Sequence, residues 1–399
     1  MARTRAPRTH AEVVAAAEEF AASVKPGAAQ RDRAGAVPRA EVAEFDSLGL
    51  PAVTVPIDDG GDGLGPRTLA EVIRIVAAAD PALAQTPQGH YLAVDILRLL
   101  GTPLQRARIL PAVVDGARIG PVLAERGGHH AQDLKTRLIR DGARWRLDGT
   151  KYYCTGAITS QWLAVSALDP DDRLVLAFVE RDAPGVTIDE DWAAMGQRST
   201  VSGTTTLDGV AVDGDLVLPY WSAFEKPQLL GARAQLVHTA IEAGIAEGAL
   251  ADAAEFVRTR SRPFFEAVRY GAATTASDDP HILLRFGQLA TRTRASTQLL
   301  RWAAGELEEI GLDVADPDAA AHGSIAVAQA KAFASDVAVD VASQLFALTG
   351  ASGTDRRHDL DRHWRNARTH SVHDPVDWKY HHIGAWELSG VAPPNHGQI

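Results

Sequence analysis

The sequence predicts an α+β protein with three successive parts: an N-terminal helical domain (1–120), a central small β-barrel domain (121–219) and a C-terminal four-helix bundle (220–399). Apolar residues recur every third or fourth position up to about residue 120 and again from about residue 229, which is typical of packed helices. The stretch between them has short runs rich in β-branched residues, separated by turn residues. A chain of 399 residues is long enough to bury a large core across these parts.

The N-terminal part has helical periodicity in five segments: 11–25, 39–48, 68–79, 87–100 and 104–115. A glycine-rich stretch at 58–65 does not match G-x-G-x-x-G, and no apolar strand leads into it. It therefore predicts a tight turn near a helix start rather than a dinucleotide site.

The central part contains the predicted strands, at 145–147, 151–154, 162–166, 174–179, 186–188 and 204–208. In the C-terminal part, apolar stripes predict long helices over 236–257, 282–310 and 322–349, with a further helix near 364–370. Helical layers around one β-insert leave a cleft in which a planar cofactor is expected.

Charge and cysteine content exclude several classes of protein. Lys and Arg total 40 against 51 Asp and Glu, which gives a net charge of −11 and speaks against a nucleic-acid partner. The single cysteine, Cys154, excludes a disulfide framework, and we expect it to be a small buried apolar residue. No 18 apolar residues run together and the start does not resemble a secretion signal, so we expect a cytoplasmic protein with no membrane partner.

The segment 358–382 is the densest polar motif and holds six of the 14 histidines. The histidines that would share a helical face are His363, His370 and His373. The arginines among them are Arg362, Arg365 and Arg368. Their positive charge opposes a bound cation, so we expect no metal; they indicate bound anionic groups or salt bridges instead. A histidine beside them could exchange a proton near neutral pH, or could simply belong to a solvated helix end.

Two stretches of the β-domain have side chains suited to a ring ligand. In 191–204, Trp192 offers a flat apolar face, and Arg198 and Ser202 offer donors to polar or phosphate oxygens. The alternative is a polar connection between strands, anchored by the tryptophan. In 152–156, side chains would alternate about a strand beside accessible backbone at Gly156.

Together these motifs resemble the acyl-CoA dehydrogenase superfamily. The residues that carry the resemblance are Gly149-Thr-Lys-Tyr-Tyr-Cys-Thr-Gly156, Met195-Gly-Gln-Arg198 with Ser202-Gly203, and Asp208-Gly-Val-Ala-Val212. The segment Asp361-Arg-His-Trp-Arg-Asn-Ala-Arg-Thr-His-Ser-Val-His-Asp-Pro375 is similar to that of the flavin-dependent monooxygenase branch, which includes dibenzothiophene monooxygenase and related sulfur-acquisition oxidoreductases. The resemblance implies an acyl-CoA dehydrogenase-like fold over nearly the whole chain.

A bound flavin, either FMN or FAD, is the cofactor that the resemblance implies. Tyr153 and Thr155 would lie against the flavin, and Trp192 would line the same pocket. Arg262 matches the arginine that holds the flavin phosphate, often across a subunit boundary. The remaining candidates for cofactor binding are Arg198, Ser202, Arg368 and His370.

In the chemistry that this branch implies, reduced flavin and oxygen form a flavin hydroperoxide, whose outer oxygen passes to a small apolar heteroatom-containing or aromatic substrate. His373 would hydrogen-bond or protonate the peroxide, Thr155 would help to hold the intermediate, and His370 would also face the flavin. His90 is a candidate for the substrate side. Because the chain lacks a convincing dinucleotide fingerprint, reduced flavin would come from a separate NAD(P)H-dependent flavin reductase. The resemblance also implies a homotetramer.

Two other functions remain open: an acyl-CoA dehydrogenase-like FAD oxidoreductase and a catalytically idle flavin-fold binding protein. In the dehydrogenases a C-terminal glutamate takes the α-proton of the substrate, and Asp374, followed by Pro375, stands at that place. Aspartate is one methylene shorter, and a general base must lie within about 2.6–3.2 Å of its proton, which favours the monooxygenase. Pro121 and Ala124 stand where relatives carry polar side chains, so either the substrate differs or another group supplies that hydrogen bond.

Overall fold

The computed structural model describes residues 6–130, 133–142 and 144–397. The helices before the sheet are α1 (His10–Val24), α2 (Ala28–Ala34), α3 (Arg39–Ser47), α4 (Pro66–Ala79), α5 (Pro81–Gln85), α6 (Gln88–Leu100) and α7 (Pro103–Val114). The strands are β1 (Ile119–Val122), β2 (Arg137–Asp141), β3 (Arg144–Lys151), β4 (Trp162–Leu168), β5 (Leu174–Glu180), β6 (Val186–Ile188), β7 (Thr205–Val212) and β8 (Val217–Leu218). The helices after the sheet are α8 (Leu230–Arg260), α9 (Phe265–Arg269), α10 (Pro280–Ile310), α11 (Pro317–Thr349), α12 (Asp361–Ser371) and α13 (Val376–Ser389). This order confirms the predicted α+β class.

Capping and turn residues determine where α1 and α4 begin. At α1, the Thr9 hydroxyl accepts from the backbone N–H of Glu12, and the Glu12 carboxylate accepts from the N–H of Thr9. The stretch 58–65 is the tight turn that its composition predicts: Gly60 and Gly63 adopt φ angles of 89° and 65°, and α4 begins just after it.

The central strands form one sheet in the order β6-β7-β3-β2-β4-β5-β8, with β1 paired in parallel to β4. Alternate residues of β4 face two different cores. Leu163 and Val165 pack among other strand residues, whereas Ala164 joins Leu176 and Phe178 in a core shared with α6 and α7. The sheet is therefore covered by N-terminal helices on one face.

The strand predicted over 151–154 ends earlier than expected. β3 stops at Lys151, Tyr152 makes a single bridge to Ala124, and Tyr153 adopts a left-handed φ of 59°. A residue with that φ cannot continue a strand, so the chain turns at this point instead of alternating its side chains. Sequence patterns also missed β1, whose Gly and Pro interrupt a strand pattern, and β2, which is largely exposed.

Helix α8 forms the centre of the C-terminal bundle and also joins the N-terminal helices to it. A Cβ added to Gly244 would lie 2.5 Å from the Cβ of Ala77, and one added to Gly248 would lie 2.5 Å from the carbonyl oxygen of Ala78. The two glycines thus let α8 and α4 approach backbone to backbone. Both helices contribute to one continuous hydrophobic core.

Helix α11 is long and apolar enough to cross a membrane by length and composition alone. Its most apolar window is 56% buried inside the protein. A buried core helix satisfies the same test, and α11 packs against both α8 and α10 in the bundle.

Candidate functional site

A ladder of hydroxyl groups lies where two loops of the β-domain meet. The backbone N–H of Gly156 donates to the carbonyl of Thr200 at 3.2 Å, which brings the loops together. Thr155 Oγ1 lies 2.7 Å from Ser202 Oγ, which lies 2.8 Å from Thr200 Oγ1, and Thr200 Oγ1 donates to the Gln197 carbonyl at 2.8 Å. Because the Gln197 carbonyl can only accept, Thr200 donates to it, Ser202 donates to Thr200, and Thr155 donates to Ser202. Thr155 Oγ1 therefore keeps its lone pairs to accept a hydrogen bond from a ligand N–H.

The backbone at this junction is strained and one buried side chain is left unpaired. Tyr153, Gln197 and Val201 adopt left-handed φ angles of 59°, 50° and 45°. The Val201 conformation is costly because its side chain is β-branched. Both amide atoms of the buried Gln197 side chain lack a hydrogen-bond partner in the described part of the chain. Strain and unpaired polar atoms concentrated at one place indicate a ligand site.

Aromatic rings border the hydroxyl ladder. Tyr153 is half-exposed and meets Trp192 edge to face, with ring centroids 6.1 Å apart. The indole N–H of Trp192 donates to the Gln197 carbonyl at 2.9 Å, which fixes the ring. The guanidinium of Arg126, which sequence reasoning did not single out, lies 5.2 Å from the Tyr153 ring. The junction thus offers both apolar faces and polar edges.

Helix α12 is anchored directly on this junction. The backbone N–H of Gln197 donates to Asn366 Oδ1 at 2.6 Å, and Arg365 Nη1 donates to the Met195 carbonyl at 3.0 Å. Residues four apart on a helix share a face, roughly 6 Å from one another, so His370 follows Asn366 on the same side of α12. The predicted C-terminal motif and the predicted β-domain motif are therefore neighbours in space.

His370 lies inside a buried polar network. Its Nε2 lies 3.0 Å from His238 Nδ1, and its Nδ1 lies 2.9 Å from Glu242 Oε1. Lys331 Nζ and Ser335 Oγ donate to the same carboxylate, at 2.5 and 2.6 Å. Burial lowers the pKa of His370, while Lys331 and His370 hold the pKa of Glu242 below its ordinary value even though burial opposes this. Both ring nitrogens of His370 are thus used within the protein, and a contact of His370 with the flavin stays a prediction.

His373, three residues after His370, is exposed. Its side chain is 43% exposed, and its Nδ1 lies 3.2 Å from Asp374 Oδ1. Its ring lies over that of His238, with centroids 4.1 Å apart and planes inclined by 34°. If Nδ1–H of His373 is donated to Asp374, the other ring nitrogen, Nε2, is available for a ligand. Among the described residues, Nε2 has no hydrogen-bond partner.

Asp374, at the place of the dehydrogenase base, is engaged by cations. Its second oxygen lies 3.1 Å from Lys379 Nζ. Burial acts to raise the pKa of Asp374, but the His373 hydrogen bond and the charges of Lys331 and Lys379 hold it well below its usual range. A carboxylate that is weakly basic and already paired with two cationic groups is poorly suited to take an α-proton from a substrate. Both this pairing and the short aspartate side chain therefore disfavour the dehydrogenase reaction.

His90 links helix α6 to the sheet. Its Nε2 donates to the Pro51 carbonyl at 2.9 Å, and its Nδ1 accepts from the backbone N–H of Ile119 at 3.0 Å. Burial lowers the pKa of His90 to about 4. With both nitrogens bonded within the protein and the residue 1% exposed, His90 offers no ring nitrogen to a ligand in this structure, and its role on the substrate side stays a prediction.

Some of the candidate arginines form salt bridges within the protein, and others are exposed and could bind an anionic ligand. Arg365 pairs with Asp32 at 2.6 Å and Arg362 with Asp252, so these two form salt bridges. Arg198, expected at the cofactor, reaches the Arg33 carbonyl at 3.3 Å instead. Arg262, after α8, and Arg368, on α12, are exposed and have no partner within the described residues.

Sequence reasoning missed most of the buried network. His238 and Glu242 are four residues apart within the apolar α8, and Lys331 and Ser335 are four apart within the apolar α11. Polar pairs at this spacing, on helices otherwise made of core residues, are the signal that could have found them. Cys154 is fully buried, as expected, and burial raises the pKa of its thiol to about 11.

Comparisons with known proteins agree with this arrangement. Models of the N-terminal, middle and C-terminal domains of acyl-CoA dehydrogenase match residues 7–117, 124–210 and 236–378. Dibenzothiophene monooxygenase of Rhodococcus erythropolis is 33% identical over 396 residues, covering 95% of this chain and 94% of that protein. A probable FMNH2-dependent monooxygenase of Pseudomonas putida, SfnC, is 31% identical over 388 residues, covering 95% of each. The crystal structure of FMN-bound TdsC from Paenibacillus sp. A11-2 is 30% identical, with a TM-score of 0.91 over 97% of this chain and 100% of that one.

Fold and site together define a flavin-dependent oxidoreductase whose β-domain lies in the chain between an N-terminal and a C-terminal helical part. The chain belongs to the acyl-CoA dehydrogenase family, and within it to the flavin-dependent monooxygenases. The family and the monooxygenase function predicted from the motifs are confirmed. The residues present fit a flavin, since the unpaired Gln197 amide and the acceptor lone pairs of Thr155 match polar ring edges and Trp192 offers a ring face.

Proposed function

We propose that the protein is the oxygenase component of a two-component system, acting on a small apolar sulfur-containing or aromatic substrate. It would receive reduced FMN from a separate NAD(P)H-dependent flavin reductase. The observation that carries the proposal is the pair His373 and Asp374, which leaves His373 Nε2 available and makes Asp374 a weak base. The printed names of the relatives, a dibenzothiophene and an FMNH2-dependent monooxygenase, support this substrate class and cofactor.

Bound reduced FMN supplies the two electrons with which one atom of O2 enters the substrate while the other leaves as water. Thr155 Oγ1 would accept a hydrogen bond from the ring system, and Trp192 would cover a ring face. In its doubly protonated form, His373 would donate the Nε2 proton to the oxygen that leaves, and Asp374 would hold the ring through Nδ1–H. Apolar surroundings exclude water, which would otherwise favour release of hydrogen peroxide.

We also propose a cytoplasmic homotetramer in which a neighbouring subunit completes each flavin site. Arg262 is exposed in the segment that follows α8, beside Phe264 and Phe265, which are 68% and 66% exposed. Exposed aromatic residues so close together are typical of subunit contacts. If this segment packs on a second copy, Arg262 of one subunit can hold the flavin phosphate of the next, and Arg368 is a second available cation.

The test is the coupling of FMNH2 oxidation to oxygenation. The full-length protein is supplied with a flavin reductase, NADH, FMN and dibenzothiophene under 18O2, and product and hydrogen peroxide are both measured. We expect product that carries one 18O atom. In His373→Ala, product should fall by roughly 100-fold, within the range for loss of a general acid, while hydrogen peroxide takes its place and the FMN dissociation constant stays the same. The exposed surface residue His322, changed to Gln, is the matched control.

Two results would contradict the proposal. An unchanged ratio of product to peroxide in His373→Ala would remove His373 from proton transfer. Bleaching of bound oxidised FAD by a short acyl-CoA without oxygen, together with no 18O product from aryl sulfides or aromatic substrates, would favour the FAD oxidoreductase instead.

A further inference from the structure

Behind His373, a chain of buried groups runs through three helices. Glu242 and His238 lie on α8, Lys331 on α11 and His370 on α12. The side chain of Glu242 is fully buried, and His370, His238 and Lys331 are each at most 2% exposed. None of these four groups has an evident place in binding a flavin or a substrate, yet burying them is costly unless each is paired.

The network dictates which nitrogen of each histidine carries hydrogen. Glu242 is a carboxylate that accepts from Lys331 and Ser335, so His370 Nδ1 must donate to it. His370 Nε2 is then an acceptor, and His238 Nδ1 must be the donor of the bond between the two rings. His238 is thereby held as the neutral tautomer with hydrogen on Nδ1, and its ring plane is fixed from behind.

His238 presents the face of this neutral ring to His373. The two rings are in contact at a tilt of 34°, and His373 Nδ1 is bonded to Asp374 and not to His238. The cations that face His238 are Lys331 of α11 and Lys379 of α13, besides His370 and His373. Burial and these charges lower the pKa of His238 well below its ordinary value, so His238 stays neutral beside His373 and does not compete with it for a proton.

We propose that His238 is a positioning residue: a neutral ring, oriented by His370 and Glu242, on which His373 rests so that the exchangeable proton stays on His373. This inference rests on the proposed role of His373 as the proton donor. Apolar side chains of similar volume could fill the same space, so packing alone does not explain why these buried residues are polar. The positioning of His373 is a function that does require polar residues.

A pair of substitutions separates the ring face from the hydrogen bond. His238→Phe keeps a permanently neutral ring under His373 but loses the donor to His370. His238→Asn keeps an N–H donor near the position of Nδ1 but removes the ring. We expect product per FMNH2 to fall by about tenfold in His238→Asn, as for a misplaced catalytic group, and by no more than about twofold in His238→Phe. His322→Gln is again the control for a histidine change elsewhere.

A second measurement needs no flavin and no turnover. In the flavin-free full-length protein labelled with [15N]histidine, nitrogen chemical shifts report the tautomer of each ring, and His238→Phe and His370→Gln assign the two signals. We expect His238 and His370 both to carry hydrogen on Nδ1 and to keep it from about pH 6 to 8. Hydrogen on Nε2 of His238, or protonation of its ring in this range, would overturn the proposal.

The outcomes separate this inference from the proposed function. If His373→Ala leaves coupling unchanged, the proposed role of His373 fails and this inference fails with it. If His373→Ala uncouples the enzyme but His238→Asn does not, only the positioning role fails. Equal uncoupling in His238→Phe and His238→Asn would overturn it as well, because a neutral ring face would then not be enough to keep His373 in place.

Discussion

At the scale of single residues, the two histidines of the C-terminal motif have different environments although they are three positions apart. His370 has both nitrogens bonded inside the protein, whereas His373 keeps Nε2 available. The difference follows from the end of α12 at Ser371, after which the backbone turns and His373 leaves the buried face. A motif that looks like one reactive cluster thus contains one buried histidine bonded at both nitrogens and one exposed histidine, for which we propose the role of proton donor.

His90 makes stability depend on pH. Its folded-state pKa, about 4, lies below the ordinary value of 6.5, so the unfolded chain binds a proton first as the pH falls. His90 therefore contributes stability above about pH 6.5 that is lost progressively down to about pH 4, roughly 3 kcal/mol at ~1.4 kcal/mol per pH unit. Urea unfolding of the wild type and His90→Gln at pH 7 and pH 4.5 measures this.

The expected result is that His90→Gln is less stable than the wild type at pH 7 and that the difference shrinks towards pH 4.5. Other groups that titrate in this range, such as Asp46, whose pKa burial raises to about 6, are present in both proteins and cancel in the comparison. Parallel curves for the two proteins would show that His90 is not the group responsible.

At the scale of elements, the position of α12 links the β-domain to the bundle. A Cβ on Gly196 would lie 2.1 Å from the Arg365 carbonyl, so only glycine allows this close approach. Asn366 then accepts from the Gln197 backbone, and one turn later His370 enters the network of α8 and α11. The register of one short helix therefore determines where the hydroxyl ladder and the histidines lie relative to each other.

Asn366→Ala tests this link. The substitution leaves the buried Gln197 N–H without an acceptor, which we expect to lower the free energy of unfolding by about 1–3 kcal/mol. We also expect weaker FMN binding, because the loop that carries Thr200 and Ser202 loses its anchor. Urea unfolding and quenching of FMN fluorescence measure the two effects.

Trp364→Gln, a change at a more exposed position of the same helix, is the control and should affect neither quantity strongly. If Asn366→Ala lowers stability but leaves FMN affinity as in the wild type, α12 does not position the loop for the cofactor.

At the scale of the whole molecule, apolar surface marks where copies of the chain are expected to meet. Phe264, Phe265, Val268 and Tyr270 lie within one short segment and are between 52% and 76% exposed. This concentration is unusual for a surface in contact with water. Arg262 precedes it directly, so assembly and flavin binding should be coupled.

We expect the double substitution Phe264→Asp and Phe265→Asp to convert the proposed tetramer into smaller species and to raise the FMN dissociation constant. Buried carboxylates at a subunit contact disfavour association, and the arginine of the neighbouring subunit is then lost from the site. Light scattering after size exclusion gives the mass, and FMN titration gives the affinity.

Leu104→Asp, an exposed position at the start of α7, is the control because an acidic residue is favourable at a helix N-terminus. A wild-type protein that is monomeric at micromolar concentration and binds FMN fully would contradict the coupling.

The sequence by itself determined the order of helices, sheet and helices, because the period of apolar residues is a local property read within a few turns or strands. It also identified the segments that meet at the site and, through their resemblance, the family. Only the tertiary structure decided which histidines and arginines remain available to bind a ligand. His238 and Lys331 lie far from His370 in the chain, and Arg365 is taken up by Asp32 from the opposite end. Burial and long-range pairing depend on how whole helices pack. No local pattern could therefore have shown that His370 is enclosed while His373 is exposed.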